Sequence, residues 1–333
     1  MAAPQRDSGR PASGLSFKRV DTVMLLRAAV AAPSVHNIQP WLFAVRSDRI
    51  DLYLDPDRAL PVADPVGRER AISCGAALEG LCLGMAHLGY QPQVRVLPDP
   101  SDASRLATVR RGAARPASAE ERQRYGALHR RSMYRRRFAT RTVPSDLVAE
   151  LEEAGRGHGG WVREVRPGSP ERELVADLAT QAISTFLDDP DYRAELALWT
   201  YRGRREGIPP AVMGENRYPV NGLSWALVNH PAVDDHAFGH DRMLILGTIC
   251  DTVVDWLSAG RALHAVLLQA TLHGLVASMF TQILEVPRCR ADLTDGLDLP
   301  GHPQAVLRVG YPASGVERTG RRSLHDVLLD RSG

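Results

Sequence analysis

Residues 141–167, RTVPSDLVAELEEAGRGHGGWVREVRP, echo the opening of the chain at an offset of 120. Thr22 and Val23 fall on Thr142 and Val143, Trp41 on Trp161, and Val45 and Arg46 on Val165 and Arg166. Residue by residue the match is weak, but it holds from a helix through a strand. Self-similarity over such a span points to two related halves packed about a pseudo-twofold axis. A length of 333 residues suits two domains or one large one.

In the first half, helix formers over 21–32 precede apolar, β-prone runs at 41–46 (WLFAVR) and 50–54 (IDLYL). The run RERAISCGAALEGLCLGMAHLGY then reads as a long helix, with Ile72, Leu78, Cys82, Met85 and Leu88 near helical spacing and many small residues that permit close packing. QVRVL and LATVR follow as a second strand pair. The second half begins near residue 128 and offers a strand RMLILG, two helices from about 250 to 276, a loop ASMFTQILEVPRC, a strand QAVLRVGYP and a closing RTGRRSLHDVLL. Residues 187–240 mix Trp, Tyr and Met with Pro, Gly and Asn after an initial helix; long irregular segments of this kind are typically lids or binding loops. Trp199, Tyr201, Met213 and Tyr218 are its candidates for shaping a ligand face. The expected division is a disordered tail at 1–19, a first half at 20–127, and a second half at 128–333 with the lid at about 187–240.

Composition excludes more than it selects. The 41 basic and 39 acidic residues nearly cancel, so no overall field points to nucleic acid or an acidic membrane. The N-terminal stretch is polar, with no apolar segment of a signal peptide, and no run is apolar enough to span a bilayer. Cys74, Cys82, Cys250 and Cys289 form no CxxC pair, which fits reduced thiols in a cytoplasmic protein.

Three constellations could carry chemistry. APSVHNIQPW, residues 32–41, packs Ser34, His36, Asn37 and Gln39 between two prolines at a helix-to-strand junction, a place where rigid elements often present binding groups; the same residues are also ordinary turn formers. HRRSMYRRRF, residues 129–138, and GRRSL, residues 320–324, are Arg clusters that could meet on one phosphate monoester, because guanidinium groups clamp phosphate oxygens in bidentate fashion. The competing reading is a solvated charge run. VDDHAFGHD, with His236 and His240, has a His-x3-His spacing, but Gly239 weakens a helix there and no HExxH glutamate is present, so no metal is expected. The P-loop and Gly-x-Ser-x-Gly are both absent.

Taken together, APSVHNIQPW, SCGAAL, RRSMYRRRF, SMFTQILEVP and RRSL resemble the FMN-dependent nitroreductase family, and within it the Acg-like branch, in which one chain carries two nitroreductase-like halves. The resemblance covers roughly residues 20–330. It implies an α+β fold, antiparallel or mixed sheets flanked by helices, with FMN between the halves and a monomer that mimics the usual dimer. It further implies that Arg131, Ser132, Arg135, Arg321 and Arg322 hold the phosphate, that Pro33, Ser34, Val35 and Asn37 line the isoalloxazine or ribityl chain, and that Met279 and Thr281 approach the flavin edge, while Gln39 and Trp41 lock the turn and core. At offset 120 Asn37 and Gln39 meet Gly157 and Gly159, so one working site is expected. Met133 and Tyr134 depart from the branch's Arg-x-Thr-Asn-Arg pattern, which leaves the register of the phosphate arginines open.

The function implied is an FMN-binding oxidoreductase, reduced by NAD(P)H or a partner, that passes electrons to a small organic acceptor; no acid, base or nucleophile is required of the protein. The alternatives are a flavoprotein that stores FMN beneath the lid and a biosynthetic FMN-dependent dehydrogenase. An Arg-rich nucleic-acid-binding protein would bind DNA with strong salt dependence, but the arginines fall in just two short clusters.

Overall fold

The computed structural model describes residues 17–200, 205–209 and 240–329. Residues 1–16 of the expected tail, the possible ligand His236, and Tyr201, Met213 and Tyr218 of the expected lid lie outside these residues, while Phe17 packs against the first core and Arg19 already begins a helix. Helix α1 (Arg19–Val30) leads into strands β1 (Trp41–Val45) and β2 (Arg49–Leu54), then α2 (Arg68–His87), β3 (Tyr90–Val96) and β4 (Arg105–Ala114). After α3 (Ala119–Ala127) the same order returns as α4 (Ser145–Arg156), β5 (Trp161–Val165), β6 (Arg242–Thr248), α7 (Val253–Leu272), β7 (Val276–Met279) and β8 (His302–Gly310). Helices α5 (Pro170–Asp188) and α6 (Pro190–Leu198) are inserted between β5 and β6, and α8 (Gln282–Glu285) and α9 (Pro287–Gly296) between β7 and β8.

The sheets run β1-β2-β4-β3 and β5-β6-β8-β7, with every strand pair antiparallel. The two halves therefore share one topology, and the fold is α+β with pseudo-twofold halves. Two details of the sequence reading change. The two helices expected between 250 and 276 are the single helix α7, and the expected loop ASMFTQILEVPRC supplies most of β7 and all of α8.

Helices α2 and α7 cross at the centre. Nearly every residue of α2 is buried, as befits a helix enclosed on all sides. Gly75 and Gly260 each stand eighth in their helix, and each allows the other helix's backbone to touch it. A Cβ on Gly260 would sit 1.9 Å from the Ile72 carbonyl oxygen, and one on Gly75 would sit 2.2 Å from that of Leu257. Ile72 and Leu257 hold matching positions too, three residues before the two glycines. Leu257 joins the core of the first sheet with Trp41, Phe43 and Leu81, while Ile72 joins the core of the second with Leu244, Val266 and Leu307. Each half thus completes the other's core, in the reciprocal manner of a twofold interface.

The C-terminal segment returns to the first half. Leu329 N donates to Phe43 O at 2.9 Å, and Val327 is buried in the first core.

Candidate functional site

A cleft partly open to solvent lies between the halves, and clefts between packed units are a common setting for small-molecule sites. The first half contributes Pro33, Ser34, Val35 and His36 from the turn after α1, and Glu69, Ile72, Ser73 and Ala76 from α2. The second contributes Met133, Tyr134 and Arg135, Leu263 of α7, and Ser278, Met279 and Thr281 around the end of β7. Tyr134 N donates to Ala277 O at 2.8 Å, which lashes the 133–135 segment beside β7.

The turn between α1 and β1 holds a costly conformation. His36, Asn37 and Gln39 all have positive φ, at 44°, 55° and 53°, and such left-handed backbone costs an L-residue about 1 kcal/mol or more. Its polar side chains stabilise it. Gln39 N donates to Ser34 Oγ at 3.0 Å, and Val35 N to Ser73 Oγ at 3.2 Å. Asn37 Nδ2 donates to Gly207 O at 3.0 Å, and Gln39 Nε2 to Arg205 O at 2.9 Å. The expectation for Gln39 agrees with this geometry. That for Asn37 does not: its amide serves other backbone segments, and it does not line the cleft.

The expected phosphate arginines part company. Arg322 Nη1 pairs with the buried Asp55 at 2.9 Å, its other contacts are Gln39 O and Asp326 O, and it is absent from the cleft wall. Its geometry is that of a latch holding the C-terminal segment on the turn. Arg321 donates to the carbonyls of Val30, Ala31 and Ala32, closing the C-terminus of α1 where cations are favoured. Ser132 Oγ donates to Glu317 O at 2.7 Å. Arg135 does line the cleft, and burial lowers its guanidinium to about 10.

Arg131 is different. It is 6% exposed; among the described residues its guanidinium makes one hydrogen bond, a long one of 3.5 Å to Ala31 O, and its Nε and Nη1 are buried without a partner. Burial, with the Arg321 charge beside it, lowers this guanidinium to about 9. A buried cation with unused donors next to another cation is unfavourable by itself; an anion such as a phosphate monoester would supply both the charge and the acceptors. The neighbouring His264 is fully buried. Its Nδ1 lies 2.7 Å from Ala76 O, so it must carry the proton, and burial together with Arg131 pushes the ring down to about 3.

His36, to which the sequence reading gave no role of its own, and Glu69, which it did not single out, line the same cleft. Burial, reinforced by Arg135, lowers His36 to about 4, so it is neutral near pH 7. Glu69 is 2% exposed, and burial raises its carboxyl well above the usual range. Nothing in the charged run GRER distinguishes this glutamate from a surface one.

The corresponding place in the second half is filled. The link from α4 to β5 is residues 157–160, against residues 31–40 between α1 and β1, so the polar turn is missing there. Glu79 of α2 lies 3.5 Å from His158 of that short link and bonds Arg261 at 2.9 and 3.0 Å. Burial alone would raise the Glu79 carboxyl, but His158 and Arg261 outweigh it and hold it down at about 2. Because the folded value lies below that of an unfolded glutamate, Glu79 contributes stability above roughly pH 4.5 that is lost as pH falls toward 2. Urea unfolding of Glu79→Gln should lack on the order of 3 kcal/mol of this acid-dependent loss; an unchanged pH profile would mean the network is not formed.

The described parts of the segment expected as a lid are tied to the first half. Glu195 of α6 accepts from Val62 N and Ala63 N at 3.1 and 2.9 Å. Tyr192, Leu196 and Ile208 pack with Ile38 and Leu60. Trp199 borders that cluster and lies 5.6 Å beneath the Arg58 guanidinium. Among the described residues no helix is long and apolar enough to cross a membrane, and no group of His, Cys, Asp or Glu side chains is placed to hold a metal.

No family model matches the chain. Individual relatives do. A Mycobacterium tuberculosis protein provisionally named an NAD(P)H nitroreductase is 34% identical over 98% of this chain and 97% of its own. The acg protein of the same organism, also provisionally named an NAD(P)H nitroreductase, is 31% identical over 92% of this chain and 95% of its own. Among solved structures, an FMN- and NADPH-dependent nitroreductase from a Sphigopyxis strain is 20% identical with a TM-score of 0.41, covering 63% of this chain and 99% of its own. The chain belongs to the nitroreductase family, in the branch that includes acg.

Proposed function

We propose that this nitroreductase-family chain is an FMN-binding oxidoreductase with one site, in the cleft between its halves. The observation that carries the reading is Arg131, a buried cation with unused donors that is not itself on the cleft wall but stands two residues before Met133 of that wall and reaches Ala31 O, two residues before Pro33. The residues present fit the cofactor. Arg131, beside Arg321, would hold the phosphate; Pro33, Ser34 and Val35 on one wall and Met279 and Thr281 on the other would bound the ring, with Arg135 and neutral His36 at its polar edge. When bound, FMN supplies two-electron transfer from NAD(P)H or a partner reductant to a small organic acceptor. The protein's part is to seat and orient it and to limit water. With both walls supplied by one chain, a monomer acting in the cytoplasm, without a nucleic-acid or membrane partner, is the economical form.

One observation favours storage of FMN as a second reading. Residues 205–207 are bonded to Asn37 and Gln39 of the cleft turn, and Arg58 pairs with Glu206 at 2.5 Å. A cover held this firmly would restrict access by an acceptor.

The visible spectrum of the purified protein, followed anaerobically on adding NADPH or NADH, tests both. Flavin bands that bleach and then return with a quinone support the oxidoreductase. Bound flavin that resists nicotinamide and excludes acceptors favours storage. A protein that takes up no added FMN defeats both.

A further inference from the structure

Glu69 opens α2 and stands on the cleft wall. Asp64 fixes the start of that helix, its carboxylate accepting from Glu69 N and Arg70 N, both at 3.0 Å. Glu69 Oε1 accepts from Arg68, whose guanidinium is itself bonded to the Gln304 carbonyl at 3.0 Å, so the carboxyl has one anchored oxygen. Oε2 takes no hydrogen bond among the described residues. Glu285, at the end of α8 and half-buried, lies within electrostatic reach of Glu69, and its Oε1 is buried and unpartnered among the described residues. The charges facing the pair are Asp64 and Arg68 beside α2 and Arg290 on α9, with Tyr192 of α6 near Glu285 and Arg135 and His36 on the cleft. Burial raises both carboxyls and at Glu69 outweighs the Arg68 and Arg290 cations; the Asp64 carboxylate raises Glu69 further, and the Glu69 charge raises Glu285, so Glu69 keeps its proton to higher pH than an exposed glutamate.

We propose that Glu69 is the proton donor of this site, giving the proton on Oε2 to the acceptor as the acceptor is reduced, and that Glu285 replenishes it. The proposal rests on the oxidoreductase reading above. For a quinone the balance is two electrons and one proton from the reduced cofactor and the second proton from Glu69. The Glu69 O–H bond breaks and a phenolic O–H bond forms. The carboxylate left behind recovers a proton from water, which reaches it by way of the Glu285 carboxylate.

The test uses holoprotein reduced anaerobically with dithionite and mixed rapidly with p-benzoquinone, which needs protons, or ferricyanide, which takes electrons alone. Glu69→Gln is expected to lower the ratio of quinone to ferricyanide rate at least tenfold and to flatten the fall of the quinone rate with rising pH. Glu69→Asp should restore part of the ratio, and Glu285→Gln should slow repeated turnover more than the first. A second readout needs no flavin. A carboxyl raised in the folded state gives stability that is lost as pH rises from its unfolded value toward its folded one, so urea stability of the apoprotein should decline from pH 5 to 7 in the wild type and less in Glu69→Gln. An FMN-loaded Glu69→Gln with an unchanged ratio and pH profile overturns the proposal and leaves the oxidoreductase reading standing. If that variant does not fold, an unchanged ratio in Glu69→Asp together with an unchanged turnover pattern in Glu285→Gln overturns it equally. A wild-type protein that binds no FMN overturns the reading itself.

Discussion

Gly260→Ala is expected to destabilise the chain by about 3 kcal/mol, at the upper end of what overpacking costs. In an ordinary exposed helix the same change stabilises by up to about 1 kcal/mol, because glycine gives up more backbone entropy on folding. The sign reverses here because the new methyl carbon would stand 1.9 Å from the Ile72 carbonyl and 2.8 Å from Ala76 N. Both are backbone atoms of a helix enclosed on all sides, so relief requires α2 and α7 to move apart, opening both cores at Leu257 and Ile72. Gly126 near the end of α3 is the control. It is exposed, nothing lies within 4 Å of its would-be Cβ, and Gly126→Ala should be neutral or stabilising. Urea midpoints of the two variants measure this, and equal midpoints would mean that the central helices do not cross as closely as described.

Arg131→Met is expected to change two properties in opposite directions. FMN affinity should fall about 100-fold or more, since hydrogen bonds to a charged group contribute roughly 1.5–3 kcal/mol each. The apoprotein should become more stable by about 1–3 kcal/mol, because replacing an uncompensated buried charge with an apolar side chain removes a desolvation cost that nothing in the empty cleft offsets. Riboflavin, which lacks the phosphate, separates this from general damage: its affinity should hardly change, so the preference for FMN over riboflavin disappears. A loss of apoprotein stability, or an equal loss of both ligands, would assign Arg131 to the fold instead. Arg322 makes a useful contrast, since truncation removes the nearer cation from buried Asp55 and leaves it Arg58 at 3.9 Å, so the cost there falls on folding.

The duplication was legible only in part, and the reason is geometric. A fixed offset of 120 aligns β1 with β5, but the link before β5 is shorter than the APSVHNIQP turn and the insertion carrying α5 and α6 follows it. The strongest correspondence, Gly75 with Gly260 and Ile72 with Leu257, therefore falls at another offset and is visible only when the helices are seen crossing.

Within the site, Pro33, Ser34, Val35, Arg135, Met279 and Thr281 were readable from motifs and do line the cleft. Asn37 and Arg322 looked equally suited and face other parts of the chain. A polar side chain in a motif signals that a hydrogen bond is needed; the sequence does not say whether the partner is a ligand or distant backbone. Glu69 shows the converse, since a carboxylate beside two arginines reads as a surface charge until the fold buries it on the cleft wall.

What the sequence determined by itself is what depends on neighbours along the chain: helix and strand periodicity, the turn chemistry of APSVHNIQPW, and the family to which these motifs belong. The tertiary structure decided which charges are compensated. Arg131, Arg321 and Arg322 are the same residue type in similar runs, yet among the described residues Arg131 leaves two buried donors, Nε and Nη1, unused with no carboxylate beside it, whereas Arg322 leaves one and pairs with Asp55, because desolvation and pairing depend on groups that meet only when the two halves close.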